Sequence, residues 1–188
     1  MKVCIRVSAR HVHLSREDVE YLFGQNYELT AYRELTQPGD FASEETVTLK
    51  TEKGMINRVR VVGPERDKTQ VEISKTDSYL LGLNPPIRNS GDFDGASAIT
   101  IIGPKGEITK NCCIISSRHI HFTTQQLKAL NLKKGQLLKV RVDTIKGGVM
   151  SNVYVENDPS VTFEMHIDLD DANSHLLKDG DFGEIIFK

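Results

Sequence analysis

The chain has 188 residues, 38% hydrophobic and 27% charged, with 24 Lys and Arg against 26 Asp and Glu for a net charge of -2. This suits a globular protein of one large or two small domains with a real core, and it argues against a general nucleic-acid binder, which needs a basic surface. No apolar run approaches the ~20 residues of a membrane span, and the N-terminus lacks a signal peptide's apolar stretch.

The chain opens on an alternating run, "VCIRVS" (3–8), that predicts a strand. It is followed by "ARHVHLS" and then by "REDVEYLF", introduced by Ser15-x-x-Asp18. That spacing is a capping box: the Ser oxygen takes an orphan N–H of the first turn and the acidic side chain reaches back to the cap. The runs "TVTLK" (46–50) and "INRVRVVG" (56–63) predict further strands, separated by turn-forming clusters such as "QPGD" and "EKG". A second cap, Ser74-x-x-Asp77, opens "KTDSYLL". Strand-like "AITIIG" (98–103) and "CCIIS" (112–116) lead to a second histidine pair, "SSRHIHFT", and to a third cap, Thr123-x-x-Gln126. The runs "LLKVRV" (137–142), "VYVE" (153–156) and "EIIF" (184–187), with a fourth cap at Asp168-x-x-Asp171, complete the series. Many short strands at this spacing predict a mainly β protein of barrels or sandwiches with few helices, not a βαβ sheet.

The four caps share a feature. Two residues before each stands a side chain able to bind a metal: His13, Glu72, His121 and His166. Each falls on the last pleat of a strand before the chain turns into a helix. Residues i and i+2 of a strand face the same way, so His11 joins His13 and His119 joins His121. The simplest grouping gives two trios, His11, His13, Glu72 and His119, His121, His166. Three protein donors with a position left open are the pattern of a catalytic zinc rather than a closed structural one. The alternative is that each H-x-H pair merely lines a strand edge. His175 is expected to be a surface histidine. Cys4, Cys112 and Cys113 form no C-x-x-C and are expected to be buried thiols of a reducing compartment.

The segments "VSARHVHLS", "GPERDKTQVEIS", "PPIRNSGD", "SSRHIHFT" and "FEMHIDLDDAN" resemble, in order and over most of the chain, the PduL-type phosphotransacylases of the phosphate propanoyltransferase family. The resemblance implies exchange between a short-chain acyl-CoA plus phosphate and an acyl phosphate plus CoA. It implies two small β-barrels capped by short α-helices, with two divalent metals, usually zinc, between them. One domain would be discontinuous, 1–10 with 117–188, and the other would span 11–116. By motif position His11, His13 and Glu72 would hold one metal and His119, His121 and His166 the other, and Arg66 would hold phosphate. The family also implies a homodimer. Members sent to bacterial microcompartments carry an amphipathic N-terminal segment; this chain begins on a strand, which suggests a cytoplasmic member or one trimmed of that segment.

Further expectations concern single residues. Arg88, in a Pro- and Gly-rich loop, is a candidate contact for CoA or phosphate, with an ordinary loop arginine as the alternative. Lys133, Lys134, Lys139 and Arg141 could meet nucleotide phosphates or simply be solvated. Arg10 and Arg118, which precede the histidine pairs, are expected to support the fold. No nucleophile-elbow motif is present, so direct attack by bound phosphate is expected, without an acyl-enzyme. The rival enzyme reading is a dinuclear zinc hydrolase of thioesters or phosphate esters, and the rival outside enzymes is a module knit together by metal.

Overall fold

The computed structural model describes residues 1–158 and 163–187. In chain order the elements are β1 (Lys2–Ser8), β2 (His11–His13), α1 (Arg16–Phe23), β3 (Ala31–Glu34), β4 (Phe41–Lys50), β5 (Met55–Gly63), β6 (Gln70–Glu72), α2 (Lys75–Leu81), β7 (Ile87–Arg88) and β8 (Ser97–Ile102). They continue with β9 (Glu107–Ser116), β10 (His119–Phe122), α3 (Thr124–Ala129), β11 (Leu137–Val142), β12 (Gly148–Asn157), β13 (Glu164–Asp168), α4 (Leu169–Ser174) and β14 (Phe182–Ile186). The protein is mainly β, as the turn spacing predicted, and its helices are short.

The chain divides into two compact units, one of Met1–Ala9 with Ser117–Lys188 and one of Arg10–Ser116. In the first, six strands close in the order β1-β13-β10-β12-β11-β14. In the second, six strands also close: β4-β5-β2-β6-β9-β8, with β8 returning to β4. Strand β3 extends β4 and β7 extends β9. The two rings repeat each other. Strand β2 runs parallel to β5 and antiparallel to β6, and β10 runs parallel to β12 and antiparallel to β13. Strand β6 is parallel to β9, and β13 is parallel to β1.

This correspondence exposes an exchange. In sequence β1 leads into β2 as β9 leads into β10. Yet β1 completes the ring of the later repeat, on β13 and β14, and β9 completes the ring of the earlier one, on β6 and β8. Each ring therefore borrows its opening strand from the other repeat.

Each unit has its own core. One gathers Ile5, Ile120, Phe122, Val140, Met150 and Met165, and the other Val12, Leu14, Leu49, Val61, Ile99 and Cys113. Strand β11 shows the origin of the pattern: Leu138, Val140 and Val142 are buried while Leu137, Lys139 and Arg141 face out. Closing a ring buries alternate residues, and each fully buried Val, Leu or Ile is worth roughly 1.5–3 kcal/mol.

All four predicted caps form: Ser15, Ser74, Thr123 and Asp168 accept from the N–H groups of Asp18, Asp77, Gln126 and Asp171. The reciprocal half closes at α2 and α3 only, which corrects the expectation of four full boxes. The cause is competition. Asp18 is bound by Thr69 and by Lys110 at 2.6 Å, and Asp171 by Arg118. His175, expected at the surface, is partly buried at the C-cap of α4, with Nδ1 3.3 Å from Lys146 O. Pro159 and Ser160, predicted to form a turn, lie outside the described residues.

Candidate metal centres

In the unit of residues 10–116, His11 and His13 occupy β2, and His11 lies directly opposite Glu72 on the antiparallel partner β6. The ring nitrogens Nε2 of His11 and His13 are 3.2 Å apart, and His11 Nε2 is 3.8 Å from Glu72 Oε1. One donor atom from each residue lies within 4.8 Å of the others. Two nitrogens sharing a tetrahedral zinc at 2.0–2.1 Å stand about 3.3–3.4 Å apart, so this spacing fits a shared ion.

The tautomer fits as well. His13 Nδ1 lies 3.2 Å from the Val62 carbonyl. A carbonyl only accepts, so the proton sits on Nδ1 and the Nε2 lone pair is left for a metal. Burial, then the charges of His11 and Arg66, push the His13 imidazole well below its ordinary pKa. The ring is thus neutral, as ligation requires.

The unit that contains Ser117–Lys188 repeats the plan. His119 and His121 lie on β10, and His119 is opposite His166 on β13. The three imidazole centroids are 4.9, 5.1 and 5.2 Å apart. His119 Nδ1–H donates to Ser117 O at 2.8 Å, which frees its Nε2. Burial and then His119 push His121 down to about 4. One difference stands out. His119 and His166 are stacked with only 10° between their planes. Among the described residues, only the first trio brings one donor atom from each member within 4.8 Å of the others.

The arginines before the pairs behave alike. Arg10 Nη1 lies 3.2 Å from Asp77 Oδ1, and Arg118 grips Asp171 with Nε at 2.7 Å and Nη2 at 2.5 Å. Asp77 and Asp171 are the third helical residues after the caps that follow Glu72 and His166. Each Arg therefore ties the strand bearing a histidine pair to the helix that follows the third candidate ligand.

Arg66 reaches Ser90 Oγ with Nη1 at 3.2 Å and lies 3.6 Å from Asp40 through Nη2. It is brought there by the turn after β5. Gly63 ends β5 just before that turn, where a Cβ would fall 2.4 Å from the Phe41 ring. Beside Arg66 opens a cleft of about 570 Å³ edged by Arg16, Lys68, Phe93 and Lys110.

Arg88 turns back on its own loop, donating to Ile87 O and Asp94 O. Of the basic cluster, Lys134 pairs with Glu156 at 3.0 Å and Arg141 pairs with Glu184. Cys112 and Cys113 are buried, and burial raises both thiols, Cys112 to about 12. No helix among the described residues is long and apolar enough to cross a membrane.

Sequence reasoning missed Gln70 and Glu164. Each sits two residues before a third candidate ligand, on the same strand face. Gln70 Nε2 donates to Glu72 Oε1 at 2.6 Å. Glu164 lies 3.9 Å from His166 Nε2 and is held by Arg6 at 2.7 Å. The i−2 spacing from Glu72 and His166 was the available signal.

The profile of the phosphate propanoyltransferase family matches residues 4–178. The chain belongs to that family. It is 49% identical to a phosphate propanoyltransferase of Priestia megaterium over 96% of this chain and 84% of the relative. It is 45% identical to one of Thermotoga maritima over 98% and 89%, and 46% identical to one of Rhodobacter capsulatus over 94% and 82%. Membership of the phosphate propanoyltransferase family makes the chain an acyltransferase enzyme.

Proposed function

We propose that the chain interconverts a short-chain acyl-CoA plus phosphate with acyl phosphate plus CoA, propanoyl first and acetyl second. The reading takes its reaction from the family and its residues from the geometry. The observation that carries it is Arg66 beside a convergent His11–His13–Glu72 trio. In the forward step a phosphate oxygen forms a bond to the thioester carbonyl carbon, the C–S bond breaks, and the electron pair leaves with the CoA sulfur.

Phosphate needs local positive charge in a chain of net charge -2. Arg66 offers a planar two-pronged donor for it once its guanidinium turns from Asp40 and Ser90. His11, His13 and Glu72 would hold one divalent metal, and His119, His121 and His166 a second; zinc suits these donors. Such ions supply Lewis acidity toward an oxygen and affinity for a departing thiolate. Holding both reactants in place contributes up to about 7–11 kcal/mol.

Attack is direct: Cys112 and Cys113 are buried and their raised pKa values suppress thiolate, and Cys4, only partly buried against the expectation, turns its thiol to the Ile5 carbonyl. Arg88, placed on the loop that also carries Ser90, orders that loop and offers CoA its exposed edge. Acetyl and propanoyl differ by one methylene, worth about 1–3 kcal/mol in a pocket.

The test follows free thiol from propanoyl-CoA with and without phosphate. Phosphate-dependent release supports the transferase, phosphate-independent release the hydrolase, and no release would remove the enzyme reading. Arg66→Ala should lower the phosphate-dependent rate by about 10²-fold with metal content unchanged; loss of metal would refute the role given to Arg66.

A further inference from the structure

The exposed end of Arg66 and the carboxylate of Glu72 are joined by one buried side chain. Gln70 is 1% exposed. Its Nε2 donates to Glu72 Oε1 at 2.6 Å and to Ser90 Oγ at 2.9 Å, and its Oε1 accepts the Gly91 N–H at 2.7 Å. Ser90 Oγ in turn accepts from Arg66 Nη1 at 3.2 Å. The amide orientation is set by chemistry: reversed, it would aim an oxygen at the Glu72 carboxylate and offer nothing to accept the Gly91 N–H.

We propose that Gln70 is a positioning residue that fixes the Glu72 carboxylate and, through Ser90, sets where the Arg66 guanidinium waits for its anion. This inference rests on the function proposed above for Arg66. An amide with two donors and one acceptor can hold a carboxylate, a hydroxyl and a backbone N–H at once. A carboxylate at position 70 would repel Glu72, and a lysine has no acceptor for Gly91. A hydrogen bond to a charged ligand also orients its lone pairs, and loss of such a partner typically weakens metal binding 10–100-fold. The site in the other unit carries Glu164 at the matching place, its Oε2 3.9 Å from His166 Nε2.

The test uses Gln70→Met, which keeps the volume and removes every polar contact, alongside Ser90→Ala, which leaves the Gln70–Glu72 bond intact. Zinc affinity of the first centre is read by competition with a chromophoric chelator in a His166→Ala background, so that no reaction is needed. Gln70→Met should weaken zinc by about tenfold or more and, in the otherwise unaltered enzyme, raise the phosphate KM about tenfold with a smaller change in kcat. Ser90→Ala should raise the phosphate KM alone. Unchanged zinc affinity in Gln70→Met, or an unchanged phosphate KM in Ser90→Ala, would overturn the proposal. Should Gln70→Met not fold, Ser90→Ala still decides it. Absence of phosphate-dependent thiol release in the unsubstituted enzyme would instead defeat the functional reading, while the zinc competition still reports on Gln70.

Discussion

The two candidate centres are built on one plan but are not equally prepared. At the first, His11 and His13 already aim their Nε2 atoms at a common point 3.2 Å apart, Glu72 is fixed by Gln70, and Arg66 stands nearby. At the second, three imidazoles pack together with centroids 4.9–5.2 Å apart, but their donor atoms do not all come within 4.8 Å of one another. Repetition of a backbone register brings the same positions together. The neighbouring side chains then decide whether those positions form a finished site.

The sharpest way to break this comparison is to remove one member from each trio. His13→Ala and His166→Ala should each reduce bound metal from two ions to one, measured by elemental analysis. Each should lower kcat on the order of 10²–10³-fold. In the unsubstituted enzyme a graded chelator should strip the second centre first, because its donor atoms are less closely gathered than those of the first. The retained ion should then be lost by His13→Ala and kept by His166→Ala. Release in the reverse order would show that the wider donor spacing of the second trio costs nothing.

A smaller effect tests the arginine ties. Arg10→Met and Arg118→Met each leave a carboxylate without its cation, at a cost of about 1–3 kcal/mol in urea unfolding. Arg118 should cost more, because it makes two bonds to Asp171 and a third to Ser151 O, whereas Arg10 approaches Asp77 through one nitrogen. Equal losses would argue that the helix N-termini are held by their caps alone.

The smallest effect belongs to Glu45, buried on β4. Burial alone would raise its carboxyl, but bonds from its own N–H, from Thr30 N–H and from the Tyr27 hydroxyl hold it below the ordinary range. A carboxylate with a depressed folded pKa contributes stability above its unfolded value, about 4.3, and loses it as pH falls through the folded value. Glu45→Gln should therefore cost about 1 kcal/mol at pH 7 and nearly nothing at pH 2, read from denaturation curves at both pH values.

Much of this was legible in the sequence because it is local. Cap spacing located all four helices, and two-residue periodicity put His11 with His13 and His119 with His121 on single faces. The pairing of each couple with Glu72 or His166 was also readable, because both trios fill the same slot in a repeated pattern. Other features were hidden for physical reasons. Strand β3 is exposed at every position and carries no apolar alternation. The polar beginnings of β4 and β9 extend strands well past the runs that announced them. Gln70 and Glu164 look like ordinary polar residues until a cross-strand register shows what they face. The fate of the caps at Asp18 and Asp171 depended on Lys110 and Arg118, which are remote in sequence.

The borrowed opening strand has a consequence for synthesis. Lys2–Ser8 leaves the ribosome well before its partners, Glu164–Asp168 and Phe182–Glu184. Until they emerge it is an open strand edge, the kind of surface that recruits wrong partners. The earlier repeat can close on β9 once residue 116 has emerged, so the nascent protein carries one finished ring and one orphan ribbon until β13 and β14 arrive to claim it.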